Sequence, residues 1–353
     1  MGDTLPVLLG ASLSIEAFSK QPARWQNSVL GAICFSTETD ERQMQCMTTA
    51  PCARVPMQRL DADEPVCDFW YGNGSATQGQ SGAIRYSHDD DVLFGMLALP
   101  ESLFGAGAEK TPLQKAAKSA YSQVFALLEL LHYPHLFRFW NYIGDINGIS
   151  FGLERYRQFN LGRHDAFLAH GGDVGGNIPA ACALGSTQGP LTIAFLAGRV
   201  APLNIENPRQ VSAYQYPRQY GPQSPTFSRA SLVKLQQDEV LFISGTASIV
   251  GHTTLHPTDA VAQTRETLTN IEAVLAEANR LAKQPGFDLT NLHYKVYIRH
   301  PTDLARIRAE LTHIVGRRPD AVFLQADVCR QNLLLEIEAT ARHRLLPMPS
   351  DGG

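Results

Sequence analysis

The stretch VFLQADVCRQNLLLEIEATA, residues 322–341, carries two glutamates, Glu336 and Glu338, two positions apart in an apolar run. The run reads as a strand. Side chains in a strand alternate faces, so both carboxylates share one face while Leu335 and Ile337 take the other. A carboxyl group set among Leu, Ile and Ala loses hydration, and lost hydration favours its neutral form. Kept neutral near physiological pH, it is a general acid. The alternative is a strand with one wet face, ordinary in antiparallel sheets, and the rest of the chain bears on the choice.

Upstream of this strand the elements follow one another in a clear order. SLVKLQQDEVLFISGTASI (231–249) reads as extended chain, followed by a loop with His252, His256 and Asp259. In DAVAQTRETLTNIEAVLAEANRLAKQ (259–284), Leu268, Ile271, Leu275, Ala278 and Leu281 recur at helical spacing, and Pro285-Gly286 ends the helix. LHYKVYIRH (292–300) is a strand and PTDLARIRAELTHIVG (301–316) a second helix. This β–β–α–β–α–β order predicts an α+β fold, a mixed sheet backed by helices. The same grammar occurs earlier. AIRYSHDDDVLFGMLAL (83–99) aligns with LVKLQQDEVLFISGTAS, TPLQKAAKSAYSQVFALLELL (111–131) with the later helix, and LFRFWNYIGDING (136–148) with YKVYIRHPTD. We read an internal duplication with a degenerate copy near 83–150, and two domains, 1–230 and 231–353. Residues 1–80 yield only strands and loops.

Composition narrows the class of function. The 353 residues are 44% hydrophobic and 18% charged, which is globular, and the net charge of −4 argues against nucleic acid as a partner. No apolar run is long enough to span a membrane. Six cysteines without CxxC pairing, and no signal peptide, lead us to expect reduced thiols in the cytoplasm. HGGDVGG (170–176) lacks the Lys-Ser/Thr of a P-loop and reads as a turn. His252 and His256 have no third ligand nearby, so no metal and no cofactor are expected.

Two segments are dense in arginine and tyrosine. LERYRQFNLGRHDAF (153–167) holds Tyr156 and Arg163; ENPRQVSAYQYPRQYGPQSPTFSRA (206–230) holds Tyr214, Tyr220 and Arg229. Four prolines make the second an ordered irregular loop or a linker, and its aromatics favour order. Guanidinium forks bind carboxylates through paired hydrogen bonds, so this composition suits a small substrate with more than one carboxylate.

ISGTASIVGH, QTRETLTNI and LLLEIEATA together resemble the RidA/YjgF-like (chorismate-mutase-like) domain, over about the last 120 residues. Ala321 and Phe323 stand where the imine deaminases of that family carry an Arg-x-Cys pair, so the imine-hydrolysing arginine is missing. Joined to the upstream ERYRQFNLGR and ENPRQVSAYQYPRQYGPQSPTFSRA, the chain is similar to the chorismatases over roughly residues 135–341. The resemblance implies removal of pyruvate from the enol ether of chorismate, without a metal or organic cofactor. It implies hydroxybenzoate (3-hydroxybenzoate, with 4-hydroxybenzoate in the pigment-pathway branch) or a dihydroxycyclohexadiene carboxylate as the other product. The use of Lys, Asn and Ile favours the pigment-type hydroxybenzoate synthase. Glu338, matching the second glutamate of the EIEA motif, is the implied acid that protonates the enolpyruvyl methylene. Tyr156, Arg163, Tyr214, Tyr220, Arg229 and Arg299 are expected to hold the substrate, Arg299 because it ends the strand YKVYIR. Ser244, Gln331 and Cys329 are expected to influence product choice. RidA-type domains form trimers with sites between subunits; a duplicated chain builds comparable clefts within itself, so a monomer is expected, with a homotrimer as the alternative. The rival class is a non-catalytic RidA-like carboxylate binder.

Overall fold

The computed structural model describes residues 5–36, 49–105, 107, 110–171 and 178–345. Cys46 and all but the first two residues of the 170–176 turn segment lie outside them. The N-terminal part, illegible from its sequence, is a four-stranded sheet. It comprises β1 (Leu9–Leu13), β2 (Val29–Ser36), β3 (Cys52–Pro56) and β4 (Val66–Tyr71), in the order β1-β4-β2-β3, with short helices α1 (Ile15–Ser19) and α2 (Ala23–Asn27). Cys34 and Cys67 face each other directly in the β2–β4 register and form a disulfide. This corrects the expectation of reduced thiols, which assumed no pairing because spacing along the chain says nothing about cross-strand neighbours. Compartment therefore no longer follows from cysteine usage. Among the described residues no helix is long and apolar enough to cross a membrane.

The next unit begins with β5 (Thr77–Ser81), the hairpin β6 (Ile84–His88) and β7 (Val92–Leu99), then α3 (Pro112–Leu131) and β8 (His135–Gly144). The short hairpin β9 (Ile149–Ser150) and β10 (Leu153–Glu154) leads into α4 (Arg155–Ala169), then β11 (Ala180–Ser186) and β12 (Leu191–Gly198). The last unit starts at β13 (Leu203–Ile205). The hairpin β14 (Ala230–Leu235) and β15 (Asp238–Thr246) follows, with a small ribbon of β16 (Ile249–Val250) and β17 (Thr253–Thr254). It continues through α5 (Ala260–Leu281), β18 (His293–Ile298), α6 (Leu304–Val315), β19 (Asp320–Gln325), β20 (Asp327–Val328) and β21 (Leu335–Arg344).

One connectivity appears in both large sheets. The six-stranded sheet runs β13-β14-β15-β21-β18-β19, and the seven-stranded sheet runs β20-β11-β8-β12-β7-β6-β5. In each, a hairpin, a helix, a strand, a helix, a parallel neighbour and an antiparallel closing strand follow in turn. The earlier unit runs on past residue 150 through α4 and β11, which its sequence did not announce, to β12, where PLTIAFLAGRV (190–200) reads as a strand. β20 leaves the last unit to pair with β11, which stitches the two sheets together.

Both long helices form for the reasons legible in the chain. α5 starts at Asp259, whose carboxylate accepts the amides of Val261 and Ala262, and Leu268, Ile271, Leu275 and Ala278 are buried on one face. Burying a leucine- or isoleucine-sized side chain contributes about 1.5–3 kcal/mol, so this stripe fixes α5 on the six-stranded sheet. α3 is capped by Thr111 and packs likewise on the seven-stranded sheet. The faces turned away from the helices meet each other and the small N-terminal sheet in one core, where Phe35, Trp70, Phe94, Trp140, Phe242 and Tyr297 pack. Glu336 and Glu338 project from β21 into this inner layer, since Leu335, Ile337 and Ala339 point to the α5–α6 core. The wet-face alternative is thereby excluded.

Candidate active site

Glu336 and Glu338 share a face of β21 and differ completely in surroundings. Glu338 sits opposite Lys295 in the β18–β21 register and receives the Lys295 ammonium at 2.8 Å. Arg138 of β8 forms a short ion pair with its other oxygen, and Trp140 Nε1 and Tyr297 Oη donate at 3.2 and 3.1 Å. Lys295 also pairs with Asp68 of β4. Burial alone would raise the Glu338 pKa, but the Lys295 and Arg138 charges override it and hold the carboxyl at about 2. Glu338 is therefore an ionised, fully paired carboxylate. It does not reach the large cavity described next. This corrects the expectation that Glu338 rests protonated: the apolar neighbours that suggested it belong to the opposite face of the strand.

Glu336 does reach a cavity, one of about 520 Å³ between the two large sheets. Among the described residues no group hydrogen-bonds to its carboxyl. Desolvation first, and the Glu338 charge second, raise its pKa to about 8, against a smaller opposing influence of Arg138 and Arg229. Gly245 makes its position possible. The β15–β21 register shifts between Ile243 and Thr246, and a Cβ at 245 would stand 1.8 Å from Glu336 Oε1.

Three guanidinium groups line the cavity without an ion-pair partner among the described residues. Arg163 of α4 donates to Asn160 at 2.8 Å while its Nε has no partner. Arg229 donates to the Val211 carbonyl at 2.8 Å and the Tyr216 hydroxyl at 3.0 Å, again with Nε unpartnered. Arg330 lies 4.0 Å above the Tyr220 ring, with Nη2 unpartnered. Buried N–H groups of this kind are costly unless an acceptor arrives. Their placement converts the cavity into an anion receptor with room for a molecule of drug-like size.

Of the residues singled out from sequence, Tyr156, Arg163, Tyr220, Arg229, Cys329 and Gln331 line this cavity together. The 206–230 segment is an ordered irregular loop with single helical turns at Ala213–Gln215 and Arg218–Tyr220, and it forms one side of the cavity. Tyr214 is half-buried in the first of these turns, outside the cavity wall. Arg299 is also outside it: it pairs with Asp327 and donates to the carbonyls of Leu333 and Arg330 at 2.8 and 2.9 Å. Its strand-end position brings it to the loop that carries Cys329, Arg330 and Gln331, so it braces that loop. Ser244 is spent on structure, accepting the Ala181 amide at 2.9 Å and donating to the Ser228 carbonyl. Its neighbour Gly245 faces the cavity instead.

Sequence reasoning passed over Arg330, Cys182, Gly245, Arg138 and Lys295. A signal existed for the two buried cations, because FRFWNY and YKVYI each set one cation on an otherwise aromatic strand face that only a counter-charge makes tolerable. Among the described residues no group of three His, Cys, Asp or Glu side chains is arranged to hold a metal. His252 instead meets the Tyr220 hydroxyl at 3.1 Å.

Comparison with known proteins identifies the family. Residues 68–197 match the family described as chorismatase FkbO/Hyg5-like, N-terminal, and residues 225–343 match that described as endoribonuclease L-PSP. A 3-hydroxybenzoate synthase of Streptomyces hygroscopicus is 39% identical over 284 residues, covering 78% of this chain and 81% of that protein. A chorismatase of Streptomyces rapamycinicus is 36% identical over 284 residues, covering 78% and 82% respectively. A chorismatase crystal structure superposes with a TM-score of 0.82 at 31% identity, covering 97% of this chain and 99% of that one. With similarity of this extent running through both large sheets and the cavity between them, the chain belongs to the chorismatase family.

Proposed function

We propose that this protein converts chorismate to 3-hydroxybenzoate and pyruvate, with Glu336 as the acid. The observation that carries the reading is an unpaired, dry carboxyl facing a cavity whose other walls hold three unpaired arginines. Chorismate brings two carboxylates for those arginines, and Tyr156 and Tyr220 add directional hydroxyls. The Glu336 proton passes to the terminal methylene carbon of the enolpyruvyl group. That carbon becomes a methyl, and the positive charge left on the ether carbon is stabilised by the adjacent carboxylate and by Glu336, now an anion. The ring hydroxyl returns its proton to Glu336 as its oxygen displaces the ether oxygen, so the three-carbon unit leaves as pyruvate and an epoxide bridges the two ring carbons. Opening of the epoxide at its original carbon, with loss of the ring proton, leaves the hydroxyl at the 3-position of an aromatic ring. Chorismate equals hydroxybenzoate plus pyruvate atom for atom, so the net reaction consumes no water, oxidant or cofactor. Cys329, its thiol pushed up to about 12 by burial and hence neutral, lies with Gln331 in the same wall. We assign product choice to these two and to the space left by Gly245. The similarity to a 3-hydroxybenzoate synthase supports the hydroxybenzoate outcome. Both halves of the chain supply cavity walls, which supports a monomer as the working unit.

Incubation with chorismate is expected to give pyruvate together with phenolic absorbance. Pyruvate with a diol in place of the phenol would mark a hydrolase, and no pyruvate at all would mark a binding protein. The acid also predicts a pH dependence. A carboxyl whose pKa is raised to about 8 keeps its proton below that value and loses it above, so kcat should hold through neutral pH and fall as pH rises through about 8. A profile that climbs across this range would contradict Glu336 as the donor.

A further inference from the structure

Behind the cavity, outside its lining, lies a charge cluster whose members alternate in sign. Arg138 pairs with Glu338, Glu338 with Lys295, and Lys295 with Asp68, each buried. Asp68 accepts from Ser12, whose oxygen lies 2.8 Å from His293 Nε2, and His293 reaches Asp320 at 3.0 Å. The inner cluster balances as it stands, with two cations against two carboxylates.

Glu336 stands two residues from Glu338 on the same face of β21 and opposite Tyr297 in the register, whose hydroxyl is bonded to Glu338. The other groups with which it interacts are the cations Arg138 and Arg229, the thiols of Cys182 and Cys329, and the phenol of Tyr156. An ionised Glu336 would add a third carboxylate to a dry layer already neutral without it. We propose that Glu338 is a positioning residue for the reaction: its locked negative charge, behind the cavity, keeps the neighbouring Glu336 carboxyl neutral and ready to give up its proton. The inference rests on Glu336 as the acid and adds how that state is maintained. It also accounts for the long chain of ion pairs. Arg138, Lys295 and Asp68 hold Glu338 ionised and in place; a lone carboxylate at this depth would itself take up a proton.

The test is the alkaline limb of the kcat profile. Glu338→Gln removes the negative charge and leaves Arg138 and Lys295 in excess, so Glu336 should ionise earlier and the limb should move to lower pH by about one unit or more. Glu338→Asp keeps the charge and should keep the limb near its wild-type position even where turnover drops. Asp68→Asn, remote from the cavity, leaves Lys295 in excess and should move the limb in the same direction by a smaller step. It stands in should Glu338→Gln fail to fold. If Glu338 acts only through packing, turnover falls in these variants while the limb stays fixed, and the inference is overturned. Loss of turnover in Glu336→Gln with an unmoved limb in the others sinks this inference alone. Retained turnover in Glu336→Gln sinks the reading beneath it.

Discussion

Glu336→Gln is expected to reduce pyruvate release from chorismate by about 10²–10⁴-fold, the contribution a positioned general acid makes. Glutamine keeps the size of the side chain and its fit against Gly245, but its amide has no proton acidic enough to give to carbon. Substrate affinity should survive, because the arginines that meet the carboxylates are untouched. The measurement is steady-state turnover with chorismate, backed by binding of the substrate to the inactive variant. Turnover within tenfold of wild type would remove Glu336 from the mechanism. The comparison with Glu338→Gln is informative in itself, because the two glutamines differ by one strand step. The first deletes the donor, whereas the second leaves the donor in place and shifts the pH at which it works.

The largest effect on stability is expected at Arg138→Met. Both the guanidinium and the Glu338 carboxylate are buried, and removing one partner of a buried pair leaves the other short of compensation, at about 3–5 kcal/mol. Lys295 remains, but Asp68 already engages it. Denaturant titration followed by tryptophan fluorescence reads the change, since Trp140 lies beside the pair and Trp70 beside Trp140. The double variant Arg138→Met with Glu338→Gln should recover much of the loss, because replacing both charges removes the orphaned one. Additive losses in the double variant would show that Arg138 acts through its packing on Trp140 rather than through its charge.

How far the chain could be read depended on which forces leave a trace along it. The α5 stripe was legible because it buries one face against a sheet, which writes periodicity into consecutive residues, and the 83–99 and 231–249 segments because β7 and β15 are continuous apolar runs buried on both faces. α4 was not. Gln158, Asn160, Gly162 and Arg163 are buried on it, and Gly162 lies so close to α3 that a Cβ there would meet the Gln114 carbonyl at 2.1 Å. A helix packed through small and polar groups carries no apolar stripe. Tyr156, Arg163, Tyr220 and Arg229 were found by composition, because a pocket for a dicarboxylate needs cations whatever its geometry; Arg330 lies outside the two segments rich in arginine and tyrosine and was passed over. The choice between Glu336 and Glu338 was beyond the reach of local sequence. Both have apolar neighbours, and what separates them is a pair of cations 43 and 200 residues away along the chain.

The two walls of the cavity come from distant parts of one polypeptide. Tyr156, Arg163 and Cys182 stand on the earlier unit, and Arg229, Cys329 and Glu336 on the later one. The contacts that bring these walls together are contacts within one chain, so they form as the chain folds. Where a cleft is assembled from separate chains, dilution drains it. Here the acid and its anion receptor are parts of one chain, and the fold itself sets their register. Each wall is also free to diverge without the constraint that a substitution be repeated symmetrically around the assembly. The later unit thus carries the acid together with Arg229 and Arg330, while α4 of the earlier unit adds Arg163 and Tyr156.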